Sequence, residues 1–378
     1  MVKTMSKLEQ LIKELCPDGV EWKTLGEGKF VEVANKGRRP VKSEFRVSGK
    51  IPYYGANNIQ DYVEGFTHDG EFVLIAEDGT ASIENYSIQY TKGKFWANNH
   101  VHVLRGRQNL ETRFLFHYLK TINFIPFLSG GGRAKLTKGE LIKISIPIPP
   151  LPVQLEIVRI LDNFTELTAE LTAELTAELT ARKKQYEYYR DELLTFGDDV
   201  EWKTLGEVTK YEQPAKYLVN SNNYNNNFKT PVLTAGKTFV LGYTDETEGV
   251  YKALENPAII FDDFTTANKW VDFDFKVKSS AMKIITSKNE AVLRYIYYCL
   301  NTLPNELVGG DHKRQWISNF SNKKIPIPPL PVQLEIVRIL DNFTELTAEL
   351  TAEIEMRTKQ YEYYRNKLLS FPKIEVEV

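Results

Sequence analysis

Apolar positions along this chain change their period from one stretch to the next, and each period predicts an element. In "MVKTMSKLEQLIKELCPDG" Leu8, Leu11, Ile12 and Leu15 recur at helical spacing, so a short amphipathic helix is expected rather than the continuous apolar core of a signal peptide. The runs "EFVLIAEDGTASI" and "NPAIIFDDF" are short, apolar and bounded by turn residues, which is the pattern of buried strands. "TRFLFHYLKTI" and "AVLRYIYYCLNTL" read as helices, and Gly- and Asn-rich turns separate these segments. From about Val153 no Pro or Gly occurs until Gly197, which predicts one helix of roughly 44 residues and about 66 Å. A second stretch of the same kind, Val332 to Ser370, predicts a helix of about 58 Å. Leu167, Leu171, Leu175 and Leu179 recur every fourth residue, as do Leu346 and Leu350. Each step of four drifts by about 40° around the helix, so the leucines keep one apolar stripe for a few turns. A stripe on a helix this long needs a partner, and the antiparallel twin in the same chain has matching length.

Self-similarity explains the twin. "VEWKTLGE" occurs at Val20–Glu27 and Val200–Glu207, and "IPIPPLPVQLEIVRILDNFTELTAELTAE" occurs unchanged at Ile146–Glu174 and Ile325–Glu353. The offset is 180 for the first block, 179 for the second and 175 for "KQYEYYR" at Lys184 and Lys359. One four-residue TAEL unit is missing from the second copy. The chain is thus a tandem duplication, with an expected α+β fold of pseudo-twofold character. Two similar α/β domains, residues 1–150 and 197–330, alternate with a central helix at 151–196 and a distal helix at 331–371, and 372–378 form a tail. Pro52 and Ala56 align with Pro231 and Ala235, so one fold is expected to serve both diverged domains. The first helix carries a domain at each end, so its length is expected to fix their separation. The second helix is expected only to run back and end.

Composition narrows the class. At 378 residues, 42% hydrophobic and 26% charged, the chain reads as an ordinary globular protein rather than a disordered one. Its two cysteines, Cys16 and Cys299, are too few for a disulfide framework or a Cys-based metal site, so a reducing cytoplasm is expected. No apolar run reaches membrane-spanning length. The net charge of −2 hides an asymmetry: residues 153–196 hold nine acids and five bases, and 332–370 seven and five. The rest of the chain is therefore positive by four charges, which is compatible with binding a polyanion.

Two similar but divergent domains held at a set distance suit a bipartite DNA target whose half-sites are read separately. The duplicated "IPIPPLPVQLEIVRIL" segments, the TAEL repeats and the terminal "KQYEYYR" resemble the specificity subunit of type I restriction–modification systems, in the subfamily with TAEL spacers, over nearly the whole chain. That resemblance implies target-recognition domains and an antiparallel coiled coil docking two methyltransferase subunits. It also implies restriction subunits that join afterwards, with double-stranded DNA as ligand. No cofactor is expected on this chain, and S-adenosylmethionine, ATP and magnesium belong to the partners. The second variable part, with "PVLTAGKTF", "IIFDDFTTANKWVDFDFK" and "GDHKRQWISN", is similar to recognition domains of that subfamily.

Candidate DNA contacts follow from the residues themselves. "GGGRAK" at Gly130–Lys135 aligns with "GGDHKR" at Gly309–Arg314, so each half keeps a glycine turn followed by cations. Glycine lets backbone approach closely, and Arg133, Lys135, His312, Lys313 and Arg314 suit phosphate or a guanine edge. The plain alternative is a solvated basic loop. A second cluster, "NKGRRPVK", offers Lys36, Arg38, Arg39 and Lys42, and Lys237 is a further candidate. Asn57, Asn58 and Gln60 follow a tight turn and have the chemistry to read adenine. His100 and His102 alternate in an expected strand, where a buried role fits better than a metal site. "AGKT" at Ala235–Thr238 lacks the upstream glycine of a phosphate loop, Pro231 standing in its place. One catalytic alternative is a metal-dependent endonuclease in the second domain built from Asp262 or Asp263 with Asp274 and Lys276. The other alternative is a scaffold that binds proteins instead of DNA.

Overall fold

The computed structural model describes residues 5–130, 134–235, 238–288, 291–304, 307 and 313–374. The chain forms two compact units, Met1–Glu174 with Glu353–Val378, and Leu175–Ala352. Each unit therefore takes one end of either long helix.

In the first unit a helix at Lys7–Leu15 begins where the sequence places it, with Ser6 and Glu9 forming a capping box. A curled six-stranded sheet follows, in the order Val31–Val33, Val101–Gly106, His68–Ala76, Ile88–Ala97, Ser48–Gly55, Asn58–Val63. All neighbours are antiparallel except Ser48–Gly55 with Ile88–Ala97, where Tyr53 pairs with Trp96. The sheet has an apolar cluster on each side. One holds Phe72, Leu74, Phe95, Val101 and Val103 inside the curl. The other takes Val73, Ile75 and Leu104 against helix Thr112–Leu119 and the start of the long helix. Alternation of inward and outward side chains along each strand makes this two-sided burial possible.

The second unit repeats the plan. Thr209–Glu212, Met282–Ser287, Ala258–Asp262 and Asn268–Val271 form one sheet, and Val240–Thr244, Thr230–Leu233 and Lys276–Val277 another. Here too one pair of sheet strands is parallel, with Val232 opposite Lys276, at the positions of Tyr53 and Trp96. Pro52 and Pro231 both sit in the strand that makes this pair, as their alignment predicts. In each unit the repeated "EWKT" strand pairs with the strand entering the long helix, Trp22 opposite Pro147 and Trp202 opposite Pro326.

The long helices span Leu151–Leu193, 43 residues, and Leu330–Leu368, 39 residues. They begin two residues before the Pro- and Gly-free stretches, at Leu151 and Leu330, because Pro152 and Pro331 are tolerated in a first turn, where the N–H has no partner to lose. A buried glutamine fixes each entry. Gln154 donates to the Pro149 carbonyl at 2.6 Å and accepts from the Glu111 N–H at 2.9 Å. Gln333 repeats this with Pro328 at 2.8 Å and Val292 at 2.9 Å. Asp162 then pairs with Arg113 at 2.9 Å, and Asp341 with Arg294 at 2.7 Å.

Antiparallel pairing is visible inside each unit. Phe164 meets Tyr364, ring centroids 5.8 Å apart, in the first, and Phe343 meets Tyr189 at 5.6 Å in the second. These are the same two sequence positions, exchanged between the helices. Thr165 Oγ1 also lies 2.9 Å from the Tyr361 hydroxyl. Leu171, Leu175, Leu179, Leu346 and Leu350 are half-buried, as the stripe requires. Leu167 departs from it and is 63% exposed. Four-residue steps rotate about 40° each, so leucines spanning Leu167 to Leu179 sweep about 120° and cannot all face one seam.

The second long helix does not simply run back and end. Leu369 and Phe371, just beyond it, are buried in the first unit's core, with Phe371 6.4 Å from the ring of Phe114. The Val20 N–H donates to the Pro372 carbonyl at 3.0 Å, and the Ile374 N–H to the Val20 carbonyl at 3.2 Å. Gly19 has φ +108°, and a Cβ there would stand 2.6 Å from the Pro372 oxygen, so only glycine permits this closure. Both long helices are thus anchored at both ends, which corrects the expectation for the second.

Candidate nucleic-acid interface

Three separate candidate segments converge on one turn of the first unit. Glu77 follows strand His68–Ala76 directly, and its carboxylate takes Arg38 at 2.6 Å and Lys135 at 3.2 Å. Its carbonyl accepts the Leu136 N–H at 2.7 Å, and its own N–H donates to His100 O at 2.8 Å. Arg38 also donates to the Val101 carbonyl at 2.8 Å. Asn57 holds the next turn, donating to Gly79 O at 2.8 Å and accepting from the Ala81 N–H at 2.8 Å. The Arg39 N–H donates to the Ala97 carbonyl at 2.9 Å, and the Asn98 N–H to Tyr54 O at 3.1 Å. Residues 38–39, 54–58, 77–81, 97–101 and 135–136 therefore form one hydrogen-bonded rim.

Burial opposes ionisation of Glu77, but the hydrogen bonds from Arg38 and Lys135 outweigh it, and its carboxyl is held below the usual range. His102 is buried beside it, 3.7 Å away. Its Nε2 lies 2.8 Å from the Leu136 carbonyl, which only accepts, so Nε2 carries the proton. Nδ1 then accepts from the Asn35 amide at 2.9 Å. Burial pushes the imidazole pKa down, in keeping with this neutral form. His100 precedes its strand rather than alternating within it, and contacts Asp78 at 2.5 Å.

The second unit carries the same device in different chemistry. Asp263 follows strand Ala258–Asp262, and its carbonyl accepts the Gln315 N–H at 2.8 Å. Gln315 is the counterpart of Leu136 at the 179 offset. The strand register places Lys283 opposite Phe261 just as it places His102 opposite Ile75, so Lys283 stands where His102 does. Lys283 and Asp263, both fully buried, face each other at 3.1 Å. Asp263 also accepts the Trp316 N–H at 2.8 Å. In each unit, then, the acid at the end of the central strand ties down the chain just after the last cation of the basic segment, Lys135 or Arg314.

This divides the candidates. Arg38, Asn57 and Lys135 spend their polar atoms within the first unit. Lys36, Arg39, Lys42, Lys313 and Arg314 are exposed, with no side-chain partner among the described residues, and Asn58 is exposed at φ 99° as the first residue of strand Asn58–Val63. Arg133, Lys237 and His312 lie outside the described residues. Gln60 is exposed in strand Asn58–Val63.

The proposed nuclease residues do not come together. Asp274 pairs with Lys252 at 2.8 Å, and Lys276 is buried against Glu246 at 3.0 Å and the Glu248 carbonyl at 2.6 Å. Asp262 caps its own turn through the Phe264 N–H at 3.0 Å and Thr265 Oγ1 at 2.6 Å. Asp263 is committed to Lys283. Each side chain has separate partners, and among the described residues no group of three or more His, Cys, Asp or Glu side chains is arranged to hold a metal.

Sequence reasoning passed over Glu77 and the pairing of Asp263 with Lys283. The available signal was an acid directly after a buried strand in both halves, "LIAED" and "IIFDD", together with a lysine inside the apolar run "AMKIITS".

Replacing Lys283 with methionine leaves Asp263 buried without its cation. We expect a loss of about 3–5 kcal/mol in denaturant unfolding, and recovery of most of it when Asp263→Asn is added.

The two units should also differ in acid sensitivity. Burial lowers the pKa of both His102 and His117, the latter despite its bond to Asp162 at 2.7 Å. Their equivalents are Lys283 and Tyr298, the tyrosine also bonded to its aspartate, Asp341. Below pH about 6.5 the unfolded chain binds protons that the folded histidines refuse, so the first unit loses stability as pH falls through that value toward their lower folded-state pKa. Hydrogen exchange against pH should show this loss in the first unit, and His117→Tyr should lessen it. An unchanged pH dependence would refute the assignment.

Comparison with known proteins agrees with this duplicated architecture. The type I restriction modification DNA specificity domain family matches twice, over residues 17–181 and 197–356. A Haemophilus influenzae protein assigned as a type I restriction enzyme specificity subunit is 47% identical over 370 residues, covering 93% of this chain and 96% of that protein. The Escherichia coli type I restriction enzyme EcoR124I/EcoR124II specificity subunit is 65% identical over 198 residues, 50% of this chain and 49% of that protein. The crystal structure of the type I restriction–modification S subunit from M. genitalium shares the fold at TM-score 0.56 and 15% identity, covering 93% of this chain and 96% of that one. With one specificity domain in each half of a duplicated chain, this protein belongs to the type I restriction–modification DNA specificity family.

Proposed function

We propose that this chain reads DNA for a type I restriction–modification enzyme, each unit binding one half of a bipartite target, without catalysing a reaction itself. The observation that carries the reading is the duplicated carboxylate tether. It fixes the chain at Leu136 in the first unit and at Gln315 and Trp316 in the second, beside exposed cations: Arg39 and Lys42 in the first, Lys313 and Arg314 in the second. Held cations cost less entropy to align with phosphates than cations on a loose loop, and they fix register on the duplex.

Two copies of one partner fit the long helices. Leu151 and Leu155 are exposed on the first helix, and Leu330 and Leu334, the same positions of the repeat, on the second. Tyr363 and Tyr188 are likewise an exposed, equivalent pair. Identical apolar residues left uncovered twice suit a protein partner that docks twice, here the methyltransferase subunit, with restriction subunits joining that complex.

Replacing Lys313 and Arg314 with alanine should weaken duplex binding and flatten its salt dependence, since each lost phosphate contact removes about 0.9 from the log–log slope. Titration of the complex with its methyltransferase subunits at several salt concentrations measures this. Unchanged affinity and slope would remove these residues from the interface.

Deleting Thr172–Leu175 removes one helical turn of about 6 Å, close to two base-pair steps along the duplex at about 3.4 Å each. Methylation mapping on targets of varied gap should show unchanged half-sites and a gap shorter by one or two base pairs. Because both helices are anchored at both ends, removing Thr347–Leu350 as well should give the same gap with less loss of thermal stability. A gap that does not move would show that helix length is not the ruler.

A further inference from the structure

Beside the rim of the first unit lies a cleft of about 330 Å³, lined by Val41, Phe45, Arg46, Val47, Tyr53 and Trp96 together with the chain at 63–65. Its surfaces are flat and aromatic. The Trp96 indole forms one wall, fixed by its Nε1 donating to the Arg39 carbonyl at 2.7 Å. The Arg46 guanidinium lies 4.2 Å over the buried Tyr53 ring, held there by Nε donating to the Val41 carbonyl at 3.0 Å and by Asp61 at 3.4 Å. Tyr53 and Trp96 stack with centroids 6.3 Å apart. At the mouth stands Phe45, 69% exposed, at the end of the short turn Ser43–Phe45, with exposed Val47 two residues on.

A phenylalanine this exposed needs an occupant for the space it overlooks, and its surroundings select one. Arg39 and Lys42 flank the lining residue Val41 along the chain, both exposed and without side-chain partners among the described residues. The Arg39 carbonyl is itself held by the cleft wall. An apolar peptide would place its hydrophobic side chains among these cations without answering their charge. An unstacked nucleotide answers both, since its phosphates meet the cations and its base has flat faces for the indole, the guanidinium and the phenyl ring. Exposed apolar wedges beside cations also open base steps in duplex DNA.

We propose that this cleft receives one unstacked base of the bound DNA, with Phe45 as the wedge that opens the step and closes over the base. This rests on the DNA-reading function above and adds that the first unit recognises its half-site partly by deforming it. The second unit shares the strand pairing beneath this cleft, but Val232 and Lys276 stand where Tyr53 and Trp96 do, so the unstacked base belongs to one half-site only.

The test uses the full chain with its methyltransferase subunits on the target found by methylation mapping. Base opening is read on both strands by 2-aminopurine at each adenine, pyrrolo-cytosine at each cytosine and permanganate oxidation at each thymine. We expect a Phe45-dependent opening signal in one half-site, lost in Phe45→Ala and kept in Phe45→Trp, with binding about 10-fold or more weaker in the alanine variant. Phe45→Ala lies on the surface and should leave the melting temperature and the other half-site unchanged. Tight, specific binding with no signal that depends on Phe45 would overturn the cleft while leaving the DNA-reading function intact. Failure of the wild-type complex to bind any specific target would overturn both. Loss of methyltransferase association in Phe45→Ala, with DNA opening unaltered, would assign the cleft to a protein partner and overturn the proposal.

Discussion

A carboxylate at the end of a central strand, half-buried in the first unit and fully buried in the second, organises each unit. Glu77 and Asp263 each accept, through their backbone carbonyl, the N–H of the residue that follows the basic segment, Leu136 and Gln315. Taking a carboxylate out of water is costly unless charge and hydrogen bonds answer it. Arg38 and Lys135 answer Glu77, and Lys283 with the Trp316 N–H answers Asp263. Strand, basic segment and rim are therefore held by one node, and the exposed cations beside it occupy defined places.

Duplication followed by divergence is visible at the level of single interactions. Contacts that enter the long helices are repeated almost atom for atom, Gln154 with Gln333 and Asp162 with Asp341. Contacts in the variable parts keep position but exchange chemistry, His102 for Lys283 and His117 for Tyr298. The first unit thereby gains two imidazoles whose pKa burial lowers, while the described residues of the second have lysine and tyrosine in their place. Conservation where a shared partner would dock and exchange where two different DNA sequences would be read is the division a bipartite reader requires.

The long helices show the limit of arguing from chain order. Placing the second helix after the last domain suggests a free end, yet Leu369, Phe371 and the backbone around Pro372 are packed into the first unit. Burial of two large apolar side chains outweighs the entropy of a short tail. The helix that seemed only to return is anchored at its start in the core of the second unit and just beyond its end in the core of the first.

Sequence alone determined the duplication, the two long helices, the antiparallel partnership and the family, because repetition, helical period and absence of Pro and Gly are local properties. The strands "EFVLIAE" and "NPAIIFDD" were legible for the same reason. Tertiary structure alone decided which cations are free, since a basic residue looks the same in sequence whether it faces solvent or a buried acid. Arg38 and Arg39 are neighbours, yet one is spent on Glu77 and the other is open. Leu167 left the stripe because a four-residue repeat and a 3.6-residue helix fall out of step. The partners of Glu77 and Asp263 come from positions as far along the chain as Leu136 is from Glu77, and only folding brings such groups within hydrogen-bond distance.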